Sequence, residues 1–92
     1  MFSETRNFNH GVVHASMMDQ NLDKLVNFFG NRTSDLTAFE LKLGSKPFND
    51  LRSHIMAYKI GRSKYLGLLN ESQLNKLAKL AFTAVNVLEN QL

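Results

Sequence analysis

The chain is 92 residues long, with a 43% apolar share, 21% charged residues and a formal net charge of +3. That length holds one small domain and leaves no room for two, and the composition is ordinary for a folded globule, which argues against wholesale disorder. There is no cysteine, so a disulfide framework, a thiolate nucleophile and a cysteine-ligated zinc site are excluded.

The opening residues, MFSETRNFNHG, lack the basic-then-apolar pattern of a leader, and no run of about 18 apolar residues exists to cross a membrane. The expectation is a soluble cytoplasmic protein with no membrane partner. Residues 1–15 show no sustained period and carry Phe2, Phe8, Val12 and Val13 as scattered apolar anchors. They read as an N-terminal arm, with 16–92 as a single helical-bundle domain. His10 and His14 have the i, i+4 spacing of two ligands on a helix face, but no third ligand accompanies them and Gly11 disfavours a helix. No metal and no cofactor is expected. Asn31-Arg32-Thr33 matches a glycosylation acceptor, a match that means little without a secretory signal.

From Asp19 the period becomes helical. Leu22, Leu25, Val26 and Phe29 form one inward stripe, and Leu36, Phe39 and Leu43 form a second. Gly30-Asn31 lies between them. Either the helix breaks there, with Thr33 or Ser34 capping a new one, or one long helix runs through. Gly44 suits the close of that segment. The single proline, Pro47, suits the first turn of a helix expected from Pro47 to Tyr65, with Phe48, Leu51, Ile55, Tyr58 and Leu66 on one side and Gly67 as its end.

Asn70 is a good N-cap for the last helix, and Gln73 completes a capping-box pair with it. Leu74, Leu77, Ala81, Ala84, Val85 and Leu88 give the inward stripe. Leu80 and Val87 lie together on a second apolar face, to be covered either by the N-terminal arm or by a second copy as a dimer face. The sum is an all-α fold, a small antiparallel four-helix bundle.

Between Lys46 and Lys79 stand seven Lys/Arg (Lys46, Arg52, Lys59, Arg62, Lys64, Lys76, Lys79) against Asp50 and Glu71. A basic face of this kind meets nucleic acid, an acidic protein surface or only water. The helix RSHIMAYKIGRSKYLGL within it, the preceding LVNFFGNRTSDLTAFELKL, the link GSKPFNDL and the closing ESQLNKLAKLAFTAVNVLE together resemble a histidine phosphotransfer (Hpt) domain.

The resemblance implies a four-helix bundle whose active helix carries a phospho-accepting His, a Lys three residues on, a small residue at four, and a Leu-Gly near its end. The imidazole would attack an aspartyl phosphate while the cation balances the phosphoryl charge. Aligning Phe48 with the aromatic of the link places Met56 at the nucleophile position, Lys59 at the cation position and Ile60 where the small residue belongs. Aligning Gly61 and Tyr65-Leu66-Gly67 places Ala57 at the nucleophile position and Ile60 at that of the lysine. Both frames lose the histidine. His54 does not restore it, since its i+3 and i+4 residues are Ala57 and Tyr58, and at 100° per residue it falls about 60° from Leu51, beside the apolar stripe.

The resemblance therefore implies a non-catalytic module that binds a receiver domain or kinase without accepting phosphate. Met56 and Ile60, flanked by Arg52, Lys59, Ser63 and Lys64, are the expected partner-binding patch, with apolar contact at the centre and charge at the rim. Two other readings stand beside it. One is a small nucleic-acid-binding or transcription-regulating protein that uses Arg52, Lys59, Arg62, Lys64, Lys76 and Lys79 against phosphates. The other is a phage- or plasmid-type inhibitor docking on a host protein. No enzyme is expected: Asp19 and Asp23 share a helix face, but a solvated helix start accounts for them, and no nucleophile, base and phosphate loop are spaced for catalysis.

Overall fold

The computed structural model describes residues 17–31 and 35–92. The arm at 1–15 with His10 and His14, the capping candidates Thr33 and Ser34, and most of the Asn31-Arg32-Thr33 acceptor lie outside the described residues. Five helices are described: α1 (Met18–Asn31), α2 (Leu36–Leu43), α3 (Ser45–Gly61), α4 (Ser63–Gly67) and α5 (Glu71–Asn90). The fold is an all-α bundle, as the periodicity implies, and no described helix is long and apolar enough to cross a membrane.

The α1 stripe begins a turn before Leu22, at Met18, which is 5% exposed. Leu22 and Leu25 are fully buried, and Phe28 takes the innermost aromatic place instead of Phe29. Adjacent phenylalanines sit about 100° apart on a helix, so only one can point at the centre. Phe29 is left half-buried at the edge of the core, its ring 6.0 Å from Phe39 and 5.7 Å from Phe48. α1 is described to Asn31 and α2 from Leu36, preceded by Asp35, whose side chain makes no capping bond; the choice between a break after Gly30-Asn31 and one continuous helix falls on 32–34, outside the described residues.

Gly44 joins α2 to α3 by itself. Its N–H donates to the Glu40 carbonyl at 2.8 Å, closing α2, while its own carbonyl accepts from the Phe48 N–H at 2.9 Å, opening α3. This needs φ 107° and ψ 144°, backbone space that side-chain-bearing residues avoid. Pro47 sits in the first turn of α3, as its missing N–H allows. Phe48, Leu51, Ile55 and Tyr58 are the buried residues of α3, four of the five expected there; Leu66 is half-buried on α4.

The helix expected to run from Pro47 to Tyr65 is broken. It stops at Gly61, and Arg62 takes φ 51°, ψ −130°, before the single turn of α4. A positive φ on a non-glycine residue costs of order 1–3 kcal/mol. Three contacts offset it. The Arg62 N–H donates to the Tyr58 carbonyl at 2.8 Å, its guanidinium pairs with Asp23 at 2.7 Å, and the same group lies 5.2 Å over the Tyr58 ring. The turn brings Tyr65 back onto α3, close enough that a Cβ on Gly61 would lie 3.1 Å from that of Tyr65.

α1 and α3 run antiparallel, since Phe29 meets Phe48 at one end and Asp23 meets Arg62 at the other. α5 packs on α1, α2 and α3, and most extensively on α1. Its N-terminus carries the expected capping box. Asn70 Oδ1 accepts from the Gln73 N–H and Gln73 Oε1 accepts from the Asn70 N–H, both at 2.8 Å. The expected α5 stripe is buried or half-buried throughout and gains Ala78 and Val87.

Leu80 and Val87 do not form an open dimer face. Val87 is 4% exposed and Leu80 is half-buried against the core of the same chain. A helix with three helical neighbours is covered over about half its circumference, and at 100° per residue both side chains fall inside that arc.

Candidate docking groove

The α3 sequence produces two adjacent stripes. Leu51, Ile55 and Tyr58 face the core, while Arg52, Met56 and Lys59 repeat the same i, i+4, i+7 spacing one residue later and about 100° further round. Because α2 is only 8 residues long, the second stripe is not fully covered. A groove of about 650 Å³ opens there. Val26, Phe29 and Gly30 of α1 form one wall, Leu36 of α2 contributes beside them, and Phe48 and Ile55 of α3 reach its floor. Arg52, Met56, Lys59 and Ile60 form the α3 side. Met56 is 61% exposed and Ile60 is 87% exposed.

Four of the six side chains expected in a partner-binding patch thus share one groove: Arg52, Met56, Lys59 and Ile60. Ser63 and Lys64 do not join them. They are exposed on α4, beyond the Arg62 corner, because the helix that would have carried them onward stops at Gly61. The layering of the patch also differs from the expected apolar centre and charged rim. On the α3 wheel Arg52 and Lys59 fall between the floor residues Phe48 and Ile55 and the outer pair Met56 and Ile60. Arg52 and Lys59, themselves exposed, form a row on the floor side of the α3 wall, and Met56 and Ile60 form its outer lip.

The pattern of the sequence could have found the opposite wall. Val26 and Phe29 read there as core stripe. Yet two consecutive phenylalanines before a glycine require one ring at the margin, where a groove begins. Beneath that margin Phe28, Phe39 and Phe48 continue the aromatic packing, with centroids 4.9 Å apart for Phe28 and Phe39 and 6.0 Å for Phe39 and Phe48. The floor is therefore fixed by the core, whereas the lip is free to adjust.

His54 is half-buried on the other flank of α3, its Nδ1 2.6 Å from the Tyr65 hydroxyl. That bond spans the Arg62 corner and ties α4 to α3. Asp19 and Asp23 are not a pair of free carboxylates. Asp23 holds Arg62, and Asp19 accepts from the Tyr58 hydroxyl at a long 3.4 Å. Burial pushes the Tyr58 hydroxyl above its ordinary pKa, the bond with Arg62 opposes that, and the charges of Asp23 and Asp19 push further up. Burial raises the Tyr65 hydroxyl as well. No group of three His, Asp or Glu is placed to hold a metal ion among the described residues.

Of the basic residues that a nucleic-acid surface would use, Arg62 is already engaged by Asp23. Arg52 and Lys59 make no ion pair among the described residues. Comparison with known proteins gives no match: no family model, no curated protein and no solved structure is similar to this chain.

Proposed function

We propose that the chain is a non-catalytic, cytoplasmic protein-interaction module that holds a signalling partner in the groove beside α3. The observation that carries this reading is the exposure of Met56 and Ile60 next to two cations that have no acidic partner among the described residues. Isolated surface apolar residues need no explanation, but two on one helix at i, i+4, lining a concave site with an aromatic floor, have the composition of an interface. In the narrower form of the proposal the module is Hpt-like. It binds a receiver domain or kinase and accepts no phosphate, since Met56 or Ala57 stands where the resemblance asks for a nucleophile and His54 is turned toward Tyr65.

Titration against a panel of purified receiver and kinase domains tests both forms. Binding weakened by Met56→Asp and by Lys59→Glu supports the groove, and binding that ignores both substitutions counts against it. Incubation with a phosphorylated receiver should leave no acid-labile phosphate on the chain; label on His54 would overturn the non-catalytic reading.

A further inference from the structure

We infer that the occupant of the groove is an acidic amphipathic helix presented by a partner protein. This rests on the docking reading above and names what is docked.

Charge is the first argument. Among the described residues no acidic side chain lines the groove, while Arg52 and Lys59 do. They stand seven residues apart, two helical turns or about 10.5 Å along α3. A partner helix lying alongside answers such a row with carboxylates at a similar interval, and those carboxylates meet cations that need no competing ion pair broken.

Shape is the second. The walls are helices, and the described residues contain no sheet edge to which an extended peptide could add a strand. The opening of about 650 Å³ falls in the roughly 300–1,000 Å³ range of ligand pockets, a scale that leaves room for side chains from a partner. Apolar anchors at i, i+3 or i+4 and i+7 of a partner helix would reach the Phe29 wall, the Phe48 floor and the Ile60 lip. Acidic residues between those anchors would fall on the cation row.

The same layering disfavours the other occupants. A second copy across a two-fold axis would bring Arg52 and Lys59 against their own equivalents. A nucleic acid would satisfy the two cations but would leave Met56 and Ile60 without an apolar partner.

The test is a displayed library of 18-residue helical peptides, with solvent-facing positions randomised over all residue types, selected on the whole chain and counter-selected on Ile60→Asp. Enrichment of peptides with helically spaced apolar anchors flanked by Asp or Glu is the expected result. A synthesised winner should lose at least tenfold in affinity on Ile60→Asp and about fivefold for each of Arg52→Glu and Lys59→Glu, more steeply at low salt. Enrichment of neutral or basic groove-dependent peptides would overturn the acidic occupant and leave the docking reading intact. Failure to enrich any peptide that distinguishes the chain from Ile60→Asp would overturn both. Sedimentation of a dimer that dissociates on Ile60→Asp would assign the groove to a second copy, and competition of the selected peptide by random duplex DNA would assign it to nucleic acid.

Discussion

The openness of the groove can be tested by stability alone, because its two kinds of lining residue respond oppositely to substitution. Fully burying an isoleucine stabilises by about 1.5–3 kcal/mol. Ile60 is 87% exposed, so only about an eighth of that, a few tenths of a kcal/mol, is at stake. Ile60→Asp should therefore change unfolding free energy by less than about 0.5 kcal/mol, the ordinary range for surface substitutions. Ile55 stands on the same helix and reaches the same groove but is 3% exposed. Ile55→Ala removes buried methyl groups from a packed floor and should cost about 2–4 kcal/mol.

Urea denaturation followed by helical circular dichroism measures both, with the midpoint reporting the change and a constant slope confirming that the unfolded states are alike. For a domain of this size each kcal/mol corresponds to about 4–8 °C in melting temperature, so the two variants separate widely by heat as well. A loss above about 1 kcal/mol for Ile60→Asp would refute the reasoning. It would mean that another part of the chain covers the lip in solution. Repeating the measurement at two protein concentrations removes the remaining ambiguity, since a lip covered by a second copy gives a midpoint that rises with concentration.

Three further outcomes follow from the fold. Gly44→Ala should destabilise by about 1–3 kcal/mol, because φ 107° is strained for alanine and the new Cβ meets Pro47 Cγ at 3.3 Å; Gly30→Ala, with nothing within 4 Å, should be neutral or slightly stabilising by thermal melting. Asn70→Ala removes one side of the capping box and should cost about 1 kcal/mol by the same melts, with Gln73→Ala costing less. Tyr58 and Tyr65 are both raised above their ordinary pKa, so the folded state holds those protons more tightly than the unfolded chain. Their contribution is complete below the unfolded value of about 10 and is lost as pH climbs above it. Urea midpoints should therefore fall less between pH 9 and 11 in Tyr58→Phe than in the parent, and parallel curves would remove Tyr58 from the account.

What the sequence conveys and what it withholds divide along a physical line. The capping box at Asn70 and Gln73, the Gly44 corner and the inward stripe of α3 are local, set by residues a few positions apart, and each is present in the fold. The end of α3 is not local. The propensities of Arg62-Ser63-Lys64-Tyr65 do not stop a helix. The stop draws on Asp23, 39 residues away in sequence, which holds the Arg62 guanidinium, and on the Tyr58 ring beneath it. That corner removes Ser63 and Lys64 from the patch that their spacing suggested. Leu80 and Val87 illustrate the same limit from the other side: they are an extra apolar face on a wheel with one neighbour and core on a wheel with three.

The groove combines both kinds of information. Its exposed lip, Met56 and Ile60, is legible because α3 has a single inward stripe and these residues lie off it. Its opposite wall is only partly legible: the Phe28-Phe29 pair requires one ring at the margin, but packing decides which, and Phe28 takes the place at the centre against Phe39. The functional proposal depends on that choice. With Phe29 turned away from the groove, Met56 and Ile60 would lose the wall opposite them and the concavity a partner side chain could enter. Phe29→Ala separates the two possibilities. Phe29 is half-buried, so its loss should cost less stability than Phe28→Ala at 3% exposure, yet it should weaken a groove-bound partner as strongly as Ile60→Asp does. Equal binding to the parent and to Phe29→Ala would show that the partner touches the lip alone and that the concavity has no part in recognition.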